Sequence, residues 1–196
     1  MKAVLMSIQP KWCELIASGK KTVEVRKSKP KLETPFKVYI YCTKDRTLLT
    51  NGGGCAFIDK PYRNNGENLY NSCWYVGNGK VIGEFVCNHI TEIEILSKGL
   101  WTGGQPNGHC VSVVKRSALS PLEIIEYANG KKYVYGWHIS NLVIYDKPKE
   151  LNEFKKINRE CCYADLGLAK RDCPECNNKN CFVQRPPQSW FYVEEL

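Results

Sequence analysis

Histidine is scarce, at three in 196 residues, and no Ser-His-Asp arrangement or metal-type His spacing is present. A triad hydrolase and a histidine-ligated metal centre are therefore without support. No Walker or dinucleotide glycine fingerprint occurs among the 15 glycines, which removes those two routes to nucleotide chemistry. No apolar run approaches the roughly 18 residues of a membrane span, and no apolar stretch follows Lys2 as a signal peptide would require. We expect a cytoplasmic protein with no membrane partner.

Acidic residues are scarce where basic ones are dense. Residues 1–60 hold 12 Lys and Arg against 5 Asp and Glu, whereas 61–196 hold 16 against 15, so nearly all of the +8 net charge lies in the first stretch. Such a surface suits a polyanion, although Lys27, Lys29, Lys31 and Lys37 could equally serve solubility alone. Cysteine is abundant. Eleven cysteines, an odd number and mostly scattered, point to cytosolic thiols and away from a secreted disulfide framework. The length suits a single domain over 1–196, with insertions at about 44–79, rich in turn formers, and at about 158–183.

The most informative segment is Gly19-Lys20-Lys21-Thr22-Val23-Glu24-Val25-Arg26. In a strand, Thr22, Glu24 and Arg26 share one face and Val23 and Val25 the other. The polar face is either a solvated surface with ion pairs or the wall of a pocket. The lead-in predicts a strand end at Ser7-Ile8 and then a short helix. Pro10 suits its first position, Trp12, Leu15 and Ile16 make an apolar stripe, and Gly19 suits a left-handed end. Strands are expected at Lys37–Thr43, Val81–Cys87, Tyr133–Ile139 and Leu142–Tyr145, with Ile90–Ile95 either extending Val81–Cys87 or pairing next to it. Ser120-Pro121-Leu122-Glu123 reads as a capping box opening a helix that Gly130 ends, with Leu122, Ile124 and Ile125 as its apolar face. Gly103–Gly108 reads as loop. The mixture predicts an α+β fold.

Gly19, Lys21, Glu24 and Arg26 resemble the G-x-K-x-x-E-x-R signature of the ASCH domain family, related to PUA and YTH binders of RNA and modified bases. The segments Ser7-Ile8-Gln9-Pro10-Lys11-Trp12 and Arg185 to Glu194 are similar to the two ends of phage and prophage members. The resemblance spans about 1–43, 80–147 and 183–195. It implies a small PUA-like β-barrel with a few short helices, and a pocket for RNA or a modified nucleoside. It also implies an alternative, hydrolysis of an acylated cytidine with Lys21 and Glu24 as catalytic residues, or ribonuclease action. The enzymatic members carry Thr where this chain has Glu24, a departure from their acyl-transfer pattern.

As candidate ligand-binding residues we take Ser7, Gln9, Trp12, Lys21, Thr22, Glu24, Arg26 and Trp137. Arg26 suits phosphate or a carbonyl oxygen, Glu24 an exocyclic amine, and Lys21 an oxygen acceptor, while Trp12 and Trp137, with Tyr135, offer stacking faces. A neutral Lys21 would need its pKa to fall about 3 units from about 10.4. Glu24 opposes that fall, so a charged Lys21–Glu24–Arg26 cluster is expected. His138 reads as a structural histidine.

Near the C-terminus, Cys173 and Cys176 have the spacing of a zinc knuckle, with Cys181 and Cys162, or Cys161 in its place, able to complete four thiolates. Structural Zn is the expectation, with free thiols or a redox pair as the alternative. A third reading of function is a protein-interaction module aimed at a host protein, in which this insertion carries the contact.

Overall fold

Ala3 to Met6 are buried without relief on either side of strand β1 (Lys2–Ile8), the pattern of a strand covered on both faces. The computed structural model describes residues 1–44, 79–96, 99–102, 105–106, 108–157 and 181–196. β1 lies between β3 (Phe36–Cys42), to which it is parallel, and the antiparallel β8 (Trp190–Glu194). Between β1 and β3 come helix α1 (Pro10–Ala17) and the four-residue β2 (Val23–Arg26). Pro10 starts α1 as predicted, and Gly19 adopts φ +73 beyond its end, a conformation that favours glycine. The stripe that α1 buries is Pro10, Cys13 and Ile16, leaving Trp12 and Leu15 half-buried.

The remaining elements are β4 (Val81–Leu96), β5 (Gly99–Thr102), β6 (Gln105–Pro106), α2 (Gly108–Ser117), α3 (Pro121–Ala128), β7 (Tyr133–Lys149) and a 3-10 turn at Leu151–Glu153. Ile90–Ile95 extends Val81–Cys87 into one long strand, β4, and the two strands expected at Tyr133–Ile139 and Leu142–Tyr145 are one, β7; β4 and β7 pair over most of their lengths through three register shifts. The shifts let one ladder bend and continue. At one of them Gly83 passes so close that a Cβ there would lie 2.3 Å from the carbonyl oxygen of Val143. Asn141, with φ +47, marks a bend inside β7. The loop expected at 103–108 contains the two residues of β6, and α2 starts at Gly108.

Helix α3 carries the predicted capping box: the Ser120 hydroxyl accepts from the Glu123 N–H, and the Glu123 carboxylate accepts from the Ser120 N–H at 2.7 Å. It ends at Asn129, which is left-handed, one residue ahead of Gly130. Its buried residues are Ile124 and Ala128, whereas Leu122 is 64% exposed.

All eight strands among the described residues belong to one sheet, in the order β2-β7-β4-β3-β1-β8, with β5 paired to β4 and β6 to β5. The fold is α+β. The expected barrel is not closed, because β2 and β8, at the two ends of that order, do not pair. β2 is short, and Pro30, Pro186 and Pro187 near the two ends have no N–H to donate to a ladder. Side chains span the opening instead. Arg26 donates to the Ser7 carbonyl at 2.6 Å, Trp190 Nε1 donates to the Ser28 hydroxyl at 3.1 Å, and the Lys31 N–H donates to the Tyr192 hydroxyl at 2.7 Å. Inside the curl, Trp137 packs edge-on to Phe36 and lies 5.7 Å from the Trp190 ring, within a core of Val4, Met6, Ile16, Ile40 and Phe85. A second core, with Val23, Val25, Ile93, Val113, Ile124 and Val134, sits under α2 and α3. No helix among the described residues is long and apolar enough to cross a membrane.

Candidate ligand cleft at the open seam

The seam between β2 and the end of β1 widens into a cleft of about 820 Å³, within the size range of small-molecule sites. β1 and its extension supply Ser7, Ile8 and Gln9, α1 supplies Trp12, and the β2 strand with its flanks supplies Lys21, Glu24, Val25, Arg26, Lys27 and Ser28. The alternation of β2 explains the division of labour. Val23 and Val25 enter the core under α2 and α3, which turns Glu24 and Arg26 to the opposite side.

Lys21, Glu24 and Arg26 are 2%, 6% and 7% exposed, so this is no solvated strand face. Arg26 Nη2 stands 2.9 Å from Glu24 Oε1, and Lys21 Nζ 3.3 Å from Glu24 Oε2. The second contact is ionic without hydrogen-bond alignment, and Glu24 Oε2 and Arg26 Nε are both buried with no aligned hydrogen-bond partner among the described residues. Lys21 is pinned from both sides: its N–H donates to the Leu15 carbonyl at the end of α1, and its Nζ donates to the Ser117 carbonyl at 2.5 Å. The same ammonium lies 5.2 Å from the centre of the Trp12 ring, within reach of a cation–π attraction.

Burial pulls the Lys21 pKa below its ordinary 10.5, and the neighbouring Glu24 carboxylate opposes the fall without cancelling it. The sequence suggested that Glu24 would dominate; the depth of the amine makes desolvation the larger effect.

Two expected ligand residues stand elsewhere. The Thr22 hydroxyl accepts from Arg116 Nε at 3.1 Å beside the end of α2, and Trp137 is wholly buried in the core. Neither lines the cleft. Missed by the sequence reading are Leu119, Glu123, Glu126 and Tyr127, which bring α3 and its approach to the cleft wall, and Thr43, Gln188 and Ser189. The signal available was Tyr127, an aromatic off the apolar stripe of α3, with Lys27 set 4.9 Å over its ring.

The thiols Cys161, Cys162, Cys173 and Cys176 lie outside the described residues, as does nearly all of the expected insertion at 44–79. Cys181 is buried, and among the described residues no group of three or more His, Cys, Asp or Glu side chains is placed to hold a metal.

Residues 6–115 match the model of the ASCH domain. The chain belongs to the ASCH domain family. The match covers the cleft residues from β1, α1 and β2 and most of α2, and it identifies no narrower group of ASCH proteins. Among solved structures, the crystal structure of ASCH from Zymomonas mobilis is 16% identical with a TM-score of 0.53, over 98% of this chain and 88% of that one. A tyrosine-to-phenylalanine variant of the same protein is 15% identical with a TM-score of 0.51, over 100% and 92%. Identities this low establish the shared fold alone. No curated protein matches the chain.

Outside the cleft, His138 donates to or accepts from the Thr91 hydroxyl at 2.8 Å, and its ring meets that of His89 edge-on at 5.0 Å. Burial, together with Arg116 and His89, pushes its pKa down from 6.5 to about 4. Between those values the unfolded chain binds the proton and the native one does not, so stability falls as pH drops from 6.5 towards 4. We expect a loss on the order of 1–2 kcal/mol, discounted for the partial exposure of the ring. Urea unfolding at pH 7 and pH 4.5 reads it, and an equal loss in His138→Gln would assign it to other groups.

Proposed function

We propose that the ASCH cleft binds a nucleobase, presented as a modified nucleoside or within RNA. The observation that carries this reading is the Glu24 carboxylate beside the cleft, whose buried Oε2 faces the Lys21 ammonium at 3.3 Å but has no aligned hydrogen bond among the described residues. A buried acceptor left unmade costs about 1–3 kcal/mol, more when charged, and an amine-bearing ligand would recover it. An exocyclic base amine donates to Glu24 Oε2, Lys21 and the free Arg26 Nε donate to carbonyl or phosphate oxygens, and the half-buried Trp12 offers a ring to stack on. The basic excess of the first 60 residues supports a phosphate-bearing ligand.

A second reading, supported by the pairing of the Lys21 amine with the Glu24 carboxylate at one cleft, is hydrolysis of an acylated cytidine. Here Glu24 serves as base for water and Lys21 steadies the oxyanion.

Incubation with a pool of nucleosides that includes 4-acetylcytidine, followed by mass spectrometry beside a Lys21→Ala control, separates the two. A pool left intact, with one nucleoside retained by the parent protein and released by the variant, is the expected result. Appearance of a deacylated product that the variant does not make would instead establish the hydrolase. Retention of no nucleoside, together with RNA affinity that does not fall with salt, would count against nucleobase binding altogether.

A further inference from the structure

Ser117 is the last residue of α2, wholly buried, and carries no charge that the cleft could use. Its hydroxyl nonetheless makes two bonds: it donates to the Val114 carbonyl at 2.7 Å and accepts from the Leu119 N–H at 3.3 Å. Between those partners Ala118 is held at φ +55, a left-handed conformation that residues with a Cβ seldom adopt. Such a backbone persists only where its surroundings fix it. The consequence of the turn is the direction of the Ser117 carbonyl, which meets Lys21 Nζ at 2.5 Å. The adjoining carbonyl of Arg116 accepts from the Thr22 N–H at 2.9 Å, so the end of α2 is clamped onto the very residues that carry the amine.

We propose that Ser117 is a positioning residue for Lys21: its hydroxyl fixes the turn at the end of α2, and the carbonyl so aimed holds the amine at the cleft wall opposite Glu24. The assignment deepens the proposed ligand site by naming what places its amine, but it concerns the free protein. A carbonyl acceptor at a helix C-terminus favours the ammonium over the neutral amine. The other groups facing Lys21 are Glu24 and Arg26 from β2 and Trp12 from α1, whose ring Lys11 also approaches. Arg116 of α2 and Glu123, Glu126 and Tyr127 of α3 stand nearby. None of these is a hydrogen-bond partner of the Ser117 hydroxyl.

The test needs no ligand. The Nζ signal of Lys21 is followed by NMR in lysine-labelled protein as pH is raised, and is assigned by its loss in Lys21→Met. In Ser117→Ala the midpoint is expected to move to lower pH, because the carbonyl is no longer held on the amine. Ser117→Cys fills the same volume with a much weaker donor and acceptor, and gives the same shift should the alanine variant fail to fold. An unchanged midpoint in whichever variant folds overturns the assignment. If the midpoint moves and yet no nucleoside or RNA binds the parent protein, the positioning role stands and the nucleobase reading falls.

Discussion

Replacing Glu24 by Ala is expected to lower the unfolding free energy by about 3–5 kcal/mol, the range for removing one partner of a buried ion pair. The size of the effect comes from what remains. Lys21 and Arg26, at 2% and 7% exposure, would face each other across the site with their shared carboxylate gone. Glu24→Gln keeps the shape and one acceptor oxygen, so about half that loss is expected. Ligand affinity separates the site from the scaffold. Loss of an acceptor for a buried amine costs at least about 2 kcal/mol, roughly 30-fold in affinity, in Glu24→Ala and also in Glu24→Gln, whose one remaining oxygen stays with Arg26 Nη2. Chemical denaturation and nucleoside titration of the folded variants measure the two quantities. A Glu24→Gln protein that binds as well as the parent would remove Glu24 from ligand recognition, whatever its stability.

Local signals in the sequence were legible where one residue type has one use. Pro10 and Gly19 bound α1, and Ser120 with Glu123 opens α3, because caps act within a single turn. Long-range consequences were not legible. Tyr133–Ile139 and Leu142–Tyr145 read as two strands, yet one left-handed residue, Asn141, carries β7 through, and only the register shifts against β7 show that Ile90–Ile95 extends β4 and does not pair beside it. Helix α2 opens on Gly108, at the end of the glycine- and proline-bearing run Gly103–Gly108, so a loop was the natural reading.

The candidate site divides the same way. Glu24 and Arg26 follow from strand alternation, which also sends the valines into the core. Whether a tryptophan faces ligand or core depends on how the sheet curls. Trp12 sits on the rim and Trp137 inside, and no spacing distinguishes them. The α3 wall comes from about 100 residues further along the chain than the motif. Glu123, its one conspicuous residue, was already accounted for by the capping box. The strength of the Lys21 shift also depended on depth, which a linear motif does not carry: Glu24 was visible, but the burial that outweighs it was not.

Arg26 joins the fold to the site, and its removal is the sharper test of how an open sheet stays curled. Strand ladders hold six of the strands in sequence from β2 to β8, but nothing in the ladder joins β2 back to β1. The Arg26 guanidinium does so by donating to the Ser7 carbonyl at 2.6 Å while resting on Glu24 at 2.9 Å. In Arg26→Ala the Ser7 carbonyl loses a charged donor and Glu24 one of its two cations, so a loss of about 3–5 kcal/mol is expected. Arg26→Lys should recover only part of it, since Arg26 Nη2 meets both acceptors from the end of a rigid planar group, whereas an ammonium on a flexible stem loses more entropy when held there. The place of the damage distinguishes a seam from ordinary destabilisation. Amide exchange should rise across Val23–Arg26 and the end of β1 near Ser7, while the β3–β4 ladder, whose partners are untouched, keeps its protection. The tie between Trp190 and Ser28 survives the substitution and should confine the opening to the cleft end of the seam. Exchange that rises evenly over all strands would mean that the curl is held by the Trp137 core, with Arg26 serving the ligand alone.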